Sequence, residues 1–294
     1  MSRKVTNRRS WFPIVGFIVF LLFSVFLVIP MLWAMLTTFK TNVEFRTNMF
    51  GLPKHWEFSN YQTAIDNFKV QIQYGAGLRT VNLVGLLQNS FLYSIGGTFF
   101  FVACHYIVAY CTAKFPYKFS GFVYGFILTL MLVPISASQA ATIDLLQTFG
   151  LYDNWPGFFF QRFGFTGMYF LILHESIKTT SREISEAAEI DGASNLRIMF
   201  SIVMPQMMGM LFTIFLITFI AQWNDYMFPL MYMPTHPTLA YGLYLYNNSG
   251  NNAIAASVPL RLSGCMIIFI PMLVIFMIFH DKMMGNLSYG GVKE

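Results

Sequence analysis

The sequence predicts an all-α integral membrane protein built around six membrane-crossing helices, and three observations lead there. Of its 294 residues 56% are hydrophobic and 11% charged, with mean hydropathy +0.56, where soluble domains carry roughly a quarter charged residues. Apolar runs close to the about 20 residues that cross a bilayer recur along the chain. One polar island, Glu186-Ala187-Ala188-Glu189-Ile190-Asp191-Gly192-Ala193, interrupts that pattern. A soluble enzyme is excluded by composition alone.

The first span is placed at residues 13–36, after the basic segment 1–12 with Arg3, Lys4, Arg8 and Arg9. Its apolar run is too long for a secretory leader and lacks a small-x-small cleavage site, so it is read as a retained helix. Residues 38–84 form an outward loop, in which Pro53, Trp56-Glu57-Phe58 and Asn60-Tyr61 suggest a turn and then a short helix through Ile65 and Phe68. The second and third spans are placed at 85–112 and 119–142, and the fourth at 158–173, where Gln161 and Arg162 interrupt the outer end. A polar loop, 175–206, precedes the fifth span at 207–227. A Tyr- and Asn-rich outer loop, 229–261, leads to the sixth span at 262–279 and a tail, 280–294.

Lys and Arg near the span ends set the orientation. Arg3, Lys4, Arg8, Arg9, Lys114, Lys118, Lys178, Arg182, Arg197, Lys282 and Lys293 fall on one side, which makes both termini cytoplasmic. The net charge of +5 therefore reads as topology and not as a nucleic-acid surface. Cys104, Cys111 and Cys265 lie inside predicted spans without metal-ligand spacing, so neither a disulfide nor a metal site is expected. No catalytic residue is expected either.

The chain lacks a Gly-x-x-x-x-Gly-Lys-Ser/Thr phosphate loop and so does not cradle ATP itself. An ion-coupled carrier would place carboxylates or histidines at mid-membrane. His105 is the one candidate, and a neutral imidazole bonded to a neighbouring helix explains it as well as a proton relay does. An external energy source fits better, and the polar island offers it a handle.

Read as a helix, the island puts Arg182, Glu183, Glu186 and Glu189 on one side and Ile184, Ala187 and Ala188 on the other. Gly192 supplies positive φ to end the helix, and residues 195–203 restart one before Pro205. Glu-Ala-Ala, a Gly four residues beyond the second Ala, and then Ile202-x-x-Pro205 resemble the EAA loop of bacterial ABC importer permeases. That resemblance implies a coupling helix seated in a cleft of a cytoplasmic ATPase. Glu186 would then make a charge-assisted contact, Ala187 and Ala188 the packed face, and Asp191, Gly192 and Pro205 the bend and its exit. A solvated helix without a partner is the plainer reading.

Asn89-Ser90, Ala109-Tyr110, Pro134, Trp223-Asn224-Asp225, Thr238-Leu239 and the terminal Gly290-Gly291-Val292-Lys293 extend the resemblance to carbohydrate-uptake permeases of the maltose type, and within them to the second, shorter permease subunit. The resemblance implies the six-helix transmembrane domain of a type I ABC importer, in the bacterial cytoplasmic membrane. Its implied partners are a second homologous permease, two copies of an ATPase that binds ATP and Mg, and an extracytoplasmic solute-binding protein. Gly290 to Lys293 would reach toward the ATPase, with a frayed tail as the alternative.

A sugar path needs polar side chains for hydroxyls and aromatic rings for C–H faces. Trp223, Asn224, Asp225 and Tyr226 supply both, although an interfacial aromatic belt with a helix cap reads equally well. Pro134, Ser138 and Gln139 suit a hinge lining a water-filled cavity, or a simple packed kink. The cargo itself stays open between a sugar and another solute, and an ion-coupled carrier or channel is the rival class.

Overall fold

The computed structural model describes residues 11–75, 77–115, 118–132, 139–180, 182–248 and 257–287. Pro134, Ser138 and Gly290 to Lys293 lie outside the described residues. In chain order the elements begin with α1 (Trp11–Thr37), α2 (Asn42–Thr47), α3 (Ser59–Asn67), β1 (Val70–Tyr74) and β2 (Gly77–Val81). α4 (Leu83–Phe91) runs through a widened π turn (Leu92–Gly96) into α5 (Gly97–Lys114), followed by α6 (Lys118–Leu132), α7 (Gln139–Thr148), α8 (Trp155–Gln161) and α9 (Met168–Thr179). Then come α10 (Arg182–Ile190), α11 (Asn195–Ile198), a second π turn (Met199–Val203), α12 (Met204–Trp223), α13 (Met227–Tyr232), α14 (Leu239–Asn248) and α15 (Val258–Leu287).

Four helical stretches among the described residues are long and apolar enough to cross a membrane: Pro13–Thr37, Leu83–Lys114, Asn195–Trp223 and Val258–Phe279. A shorter apolar helix covers Phe119–Leu132. The expected fourth span, 158–173, is corrected by the structure into two helices, α8 and α9. Gly167, at φ +129 and ψ −178, occupies backbone space closed to side-chain-bearing residues and starts α9 on a new course. The helix that carries the expected fifth span, 207–227, begins before it, since α11, its π turn and α12 form one continuous helical stretch, Asn195–Trp223.

Two compact units divide the chain, residues 1–67 with 246–267 and residues 68–245 with 268–294. In the first, α1 exposes its apolar side chains along nearly its whole length, as a helix solvated by lipid does. α3 forms where Asn60 and Tyr61 were expected to open a short helix. Asn60 is buried there and donates from Nδ2 to the Thr38 and Lys40 carbonyls, both at 2.8 Å. The Tyr246 hydroxyl donates to Leu260 O at 3.0 Å and its ring lies over Gly264, where a Cβ would come within 2.7 Å.

In the second unit, α5 is the centre. Val102, Tyr106, Ala109 and Tyr110 on α5 pack with Phe170, Leu173 and Ile177 on α9 and with Met207, Leu211 and Ile214 on α12. Without a hydrophobic drive between helices in lipid, such a bundle relies on close packing and internal hydrogen bonds. The Thr112 hydroxyl and His174 Nδ1, 3.0 Å apart, supply one bond between α5 and α9. His105 is fully buried, with Nδ1 2.8 Å from Phe101 O one turn earlier. The antiparallel β1–β2 hairpin, with Val70 opposite Val81 and Tyr74 opposite Gly77, was not expected from sequence. β1 alternates buried Val70 and Ile72 with exposed Gln71 and Gln73, but over only five residues, and β2 has no such alternation, with Leu78 exposed.

Candidate functional site

The polar island folds as an elbow whose parts are each traceable to one residue type. In α10, Ser185 is buried and Ala188 half-buried against the bundle core, while Glu183, Ile184, Glu186, Ala187 and Glu189 are exposed. Two small side chains three residues apart let the helix lie close to its support. The inward face is therefore Ser185–Ala188, and not the Ile184–Ala187–Ala188 side the periodicity suggested. Ile184 is 51% and Ile190 86% exposed, and Leu196 on α11 is 67% exposed.

The bend itself closes by a paired hydrogen-bond pattern. Ala193 N donates to Ala188 O at 2.9 Å, Gly192 N donates to Glu189 O at 3.0 Å, and Gly192 sits at φ +81. These bonds satisfy the last carbonyls of α10 through a left-handed residue that glycine adopts without strain. Ser194 then caps α11, its side chain accepting from Arg197 N at 3.4 Å. The second π turn directly precedes Pro205, which has no N–H for the carbonyl four residues back and whose ring would press on it; a widened turn absorbs both. The buried Tyr106 hydroxyl of α5 donates to Met199 O in that turn at 2.7 Å, fastening the elbow's exit to the bundle. Sequence reasoning missed this bond, since nothing local links residues 106 and 199. Asp191 and Glu186 are exposed and enter no ion pair among the described residues.

A second constellation gathers at α8, the first π turn and the α12–α13 junction. Arg162, at the C-terminal cap of α8, donates from Nη2 to the Tyr93 hydroxyl at 2.9 Å, and that hydroxyl donates to Asp225 Oδ2 at 2.7 Å. Asp225 Oδ1 accepts from Phe228 N at 3.1 Å and so ties down the first turn of α13. The guanidinium carbon lies 4.4 Å from the Phe228 ring centroid, 4.9 Å from Phe158 and 5.6 Å from Tyr93. A cation so caged is held by ring quadrupoles as well as by its hydrogen bond. The tyrosine hydroxyl relays charge between an arginine and a carboxylate that form no direct ion pair.

The π turn beneath this cluster has a visible cause. The Gln222 carboxamide of α12 donates to Tyr93 O and accepts from Thr98 N, each at 3.2 Å, and so inserts into the helix ladder of α4–α5. Gly97 makes room for it, since a Cβ there would come within 2.2 Å of the carboxamide and 2.6 Å of Phe158.

Of the proposed sugar-path residues, Asp225 belongs to this network and Tyr226 stacks on Tyr244 with centroids 4.7 Å apart and 11° between planes. Trp223 is 1% exposed, covered by Phe91 and Phe219, and its Nε1 donates to Ile268 O at 3.4 Å. Its ring faces are occupied by its own chain. Asn224 is exposed and bonds back to Ile220 O, and Gln139 is exposed at the start of α7. Arg162 was visible in the sequence only as an interruption of an apolar run, yet a charge at such a place is itself a signal.

The loops beside the cluster are tied by Asp153, at φ +56, whose N–H donates to Tyr232 O and whose carboxylate accepts from Thr235 N at 3.0 Å. Burial, and then the Asp153 carboxylate, push the Tyr152 and Tyr241 phenols above their ordinary value. The Tyr152 hydroxyl donates to Met231 O at 3.1 Å. Among the described residues no group of three or more His, Cys, Asp or Glu side chains gathers to hold a metal ion.

Known proteins carry the same organisation. The chain is 22% identical over 295 residues to the diacetylchitobiose uptake system permease protein NgcG of Streptomyces coelicolor, covering 99% of this chain and 92% of that one. It is 25% identical over 276 residues to the galactooligosaccharides transport system permease protein GanQ of Bacillus subtilis, covering 92% of each. Its fold matches, at a TM-score of 0.70 and 20% identity, a chain in the crystal structure of a bacterial ABC transporter involved in the import of the acidic polysaccharide alginate, over 95% of this chain and 99% of that one. The fold is that of a type I ABC importer transmembrane domain. Residues 105–287 match the family of binding-protein-dependent transport system inner membrane components, and this multi-pass membrane protein belongs to that family.

Proposed function

We propose that the chain is one permease subunit of an ABC importer that carries a sugar or oligosaccharide across the bacterial cytoplasmic membrane. The elbow carries this reading. It presents Ile184, Ile190 and Leu196 to the outside with acidic residues around them, and its exit is fixed to the bundle through Tyr106. An apolar patch with a polar rim, on a lever that is rigid at its base, suits insertion into a cleft whose walls move. Residues 175–206 are then cytoplasmic, with Glu186 meeting a basic ATPase residue, Ala187 at the contact and Ala188 backing it against the bundle, and Asp191, Gly192 and Pro205 shaping the bend.

In this reading two ATPase copies bind ATP and Mg beneath this chain and a second, homologous permease, and a solute-binding protein delivers cargo at the other face. Both termini are cytoplasmic, and Gly290 to Lys293 reach toward the ATPase. Carbohydrate as cargo is supported by the relatives' sugar and oligosaccharide systems. The path along Pro134, Ser138, Gln139, Asn224 and Tyr226 is part of the same proposal, with Trp223 and Asp225 held within the chain beside it.

The test is reconstitution of the assembled importer with its binding protein in proteoliposomes. A panel of glycans, amino acids and phosphate esters is offered with ATP and with an ion gradient alone. Uptake of a glycan that needs ATP and the binding protein is expected. Accumulation driven by the ion gradient without nucleotide sinks the proposal, and uptake of a non-carbohydrate alone removes its cargo half.

A further inference from the structure

The segment after α1 folds back along the helix it has just left. Trp33 Nε1 donates to Met49 O at 3.0 Å, and the Trp33 ring lies 6.3 Å from Phe45 and 6.1 Å from Phe50. Trp33 stands one turn before the end of α1, so Met49 and Phe50 return to the level of that turn. From Pro13 to Trp33 an α-helix rises about 30 Å, the thickness of the hydrocarbon core. Trp33 therefore marks the boundary where indole rings concentrate, and the returning segment lies at the same depth.

Its chemistry suits that depth. Val43 is 74%, Phe50 82% and Leu52 69% exposed, on a segment only a few residues long. Meanwhile its backbone is satisfied from within. Lys40, 1% exposed, donates from Nζ to the carbonyls of Asn48 at 2.8 Å, Met49 at 3.1 Å and Gly51 at 2.6 Å. Asn48 adds a bond from Nδ2 to Leu52 O and accepts from Gly51 N, both at 3.0 Å. A loop in water has no need to spend a buried ammonium on three carbonyls. A loop against lipid must satisfy them internally. Arg46 is exposed on the same segment and Lys54 just past its end, as basic residues are on interfacial elements.

We infer that residues 42–52 form an interfacial foot that inserts Val43, Phe50 and Leu52 into the bilayer at the headgroup–acyl boundary, with Arg46 and Lys54 at the phosphate level. The buried Lys40 is its internal brace. Nothing in this depends on which cargo is carried or on which side α1 ends.

The experiment places an environment-sensitive fluorophore on Phe50→Cys, and separately on Val43→Cys and Leu52→Cys, with Cys104, Cys111 and Cys265 changed to Ala. The assembled importer is reconstituted in phosphatidylethanolamine–phosphatidylglycerol nanodiscs, with and without lipid bearing a nitroxide near the carbonyl end of its chain. Emission falling by about half or more with nitroxide lipid, and insensitive to aqueous iodide, is expected for a group at this boundary. Quenching by iodide and not by lipid overturns the foot. So does shielding from both quenchers that appears only when the solute-binding protein is present, which would make the patch a protein contact. The three positions are read independently, so one label that prevents assembly does not decide the outcome.

Discussion

The elbow at residues 182–205 and the Arg162 cluster treat their chemistry in opposite ways. Around Arg162 the charged side chains are consumed internally: guanidinium to tyrosine, tyrosine to carboxylate, carboxylate to the start of α13, with aromatic rings closing over the cation. In the elbow's first helix and bend, the carboxylates, Ile184 and Ile190 face outward; backbone bonds around Gly192 close the bend, and one side-chain bond, from Tyr106 to Met199 O, fastens its exit. One region uses its side chains to hold the bundle together, and the other keeps them free for something not of this chain. Substitutions should therefore divide, those near Arg162 acting on stability and those in the elbow on coupling.

The largest loss of stability is expected from Gly157→Ala. Gly157 lies in the first turn of α8, its N–H donates to Asn154 Oδ1 at 2.8 Å, and a Cβ there would lie 1.8 Å from Leu151 O. A backbone carbonyl cannot step aside as a side-chain tip does, so the helix that carries Phe158 and Arg162 must shift. A cost of about 3–4 kcal/mol is expected, read as a lowered thermal transition of the purified importer in nanodiscs. An unchanged transition would mean that α8 floats on its support, and the contrast with the elbow would fail at its strongest point.

Arg162→Ala follows, at about 2–3 kcal/mol, since it removes a charge-assisted hydrogen bond and three cation–ring contacts from half-buried surroundings. Arg162→Lys sharpens the point. An ammonium keeps the charge but loses the planar fork that reaches Tyr93 while lying across Phe228 and Phe158, so only a minor part of the stability should return. Full rescue by lysine would reduce the cluster to a simple electrostatic site.

Gly192→Val comes next. A β-branched residue at φ +81 is strained by about 1–2 kcal/mol, a cost confined to the bend because no atom lies within 4 Å of the position a Cβ would take. Only a small drop in the thermal transition is expected, with a large loss of solute-stimulated ATPase. A loss of stability as large as that of Gly157→Ala would show the elbow to be part of the bundle and not an appendage to it.

The two regions also differ in how far the sequence disclosed them. The elbow's helix, its glycine end and its restart were legible because each rests on neighbours three to five residues apart: the Ala188 carbonyl, the Gly192 torsion, the Ser194 cap. Which face of α10 turns inward was not legible, since Ser185 and Ala187 are both small and only the core decides between them. The Arg162 cluster joins residues 93, 158, 162, 225 and 228, and no local period connects them. The sequence marked Arg162 as an obstacle to a span and Asp225 as a candidate for cargo, and only folding made them two ends of one relay. The break of the expected fourth span begins at the Gln161-Arg162 interruption the sequence showed, but its far end at Gly167 was hidden, because a glycine among apolar residues signals its torsion only once the backbone is seen.

The smallest effect on stability and the most discriminating on function belongs to Ala187→Arg. Ala187 is exposed on α10 and contributes nothing to the inward Ser185–Ala188 face, so the thermal transition should stay within the range of an ordinary surface substitution, about 0.5 kcal/mol. If the elbow seats in a cleft, however, an added guanidinium beside Ile184 and Ile190 brings both bulk and an unpaired charge into a desolvated contact. Membrane insertion and pairing with the second permease should persist while solute-stimulated ATPase and uptake fall together. Ala187→Ser, similar in volume, should spare both, because a close contact tolerates a small side chain and not a long charged one. Normal ATPase stimulation in the arginine variant would mean that the exposed face of α10 meets only water, and the division of the molecule into a self-satisfied region and an outward-facing one would lose its functional meaning.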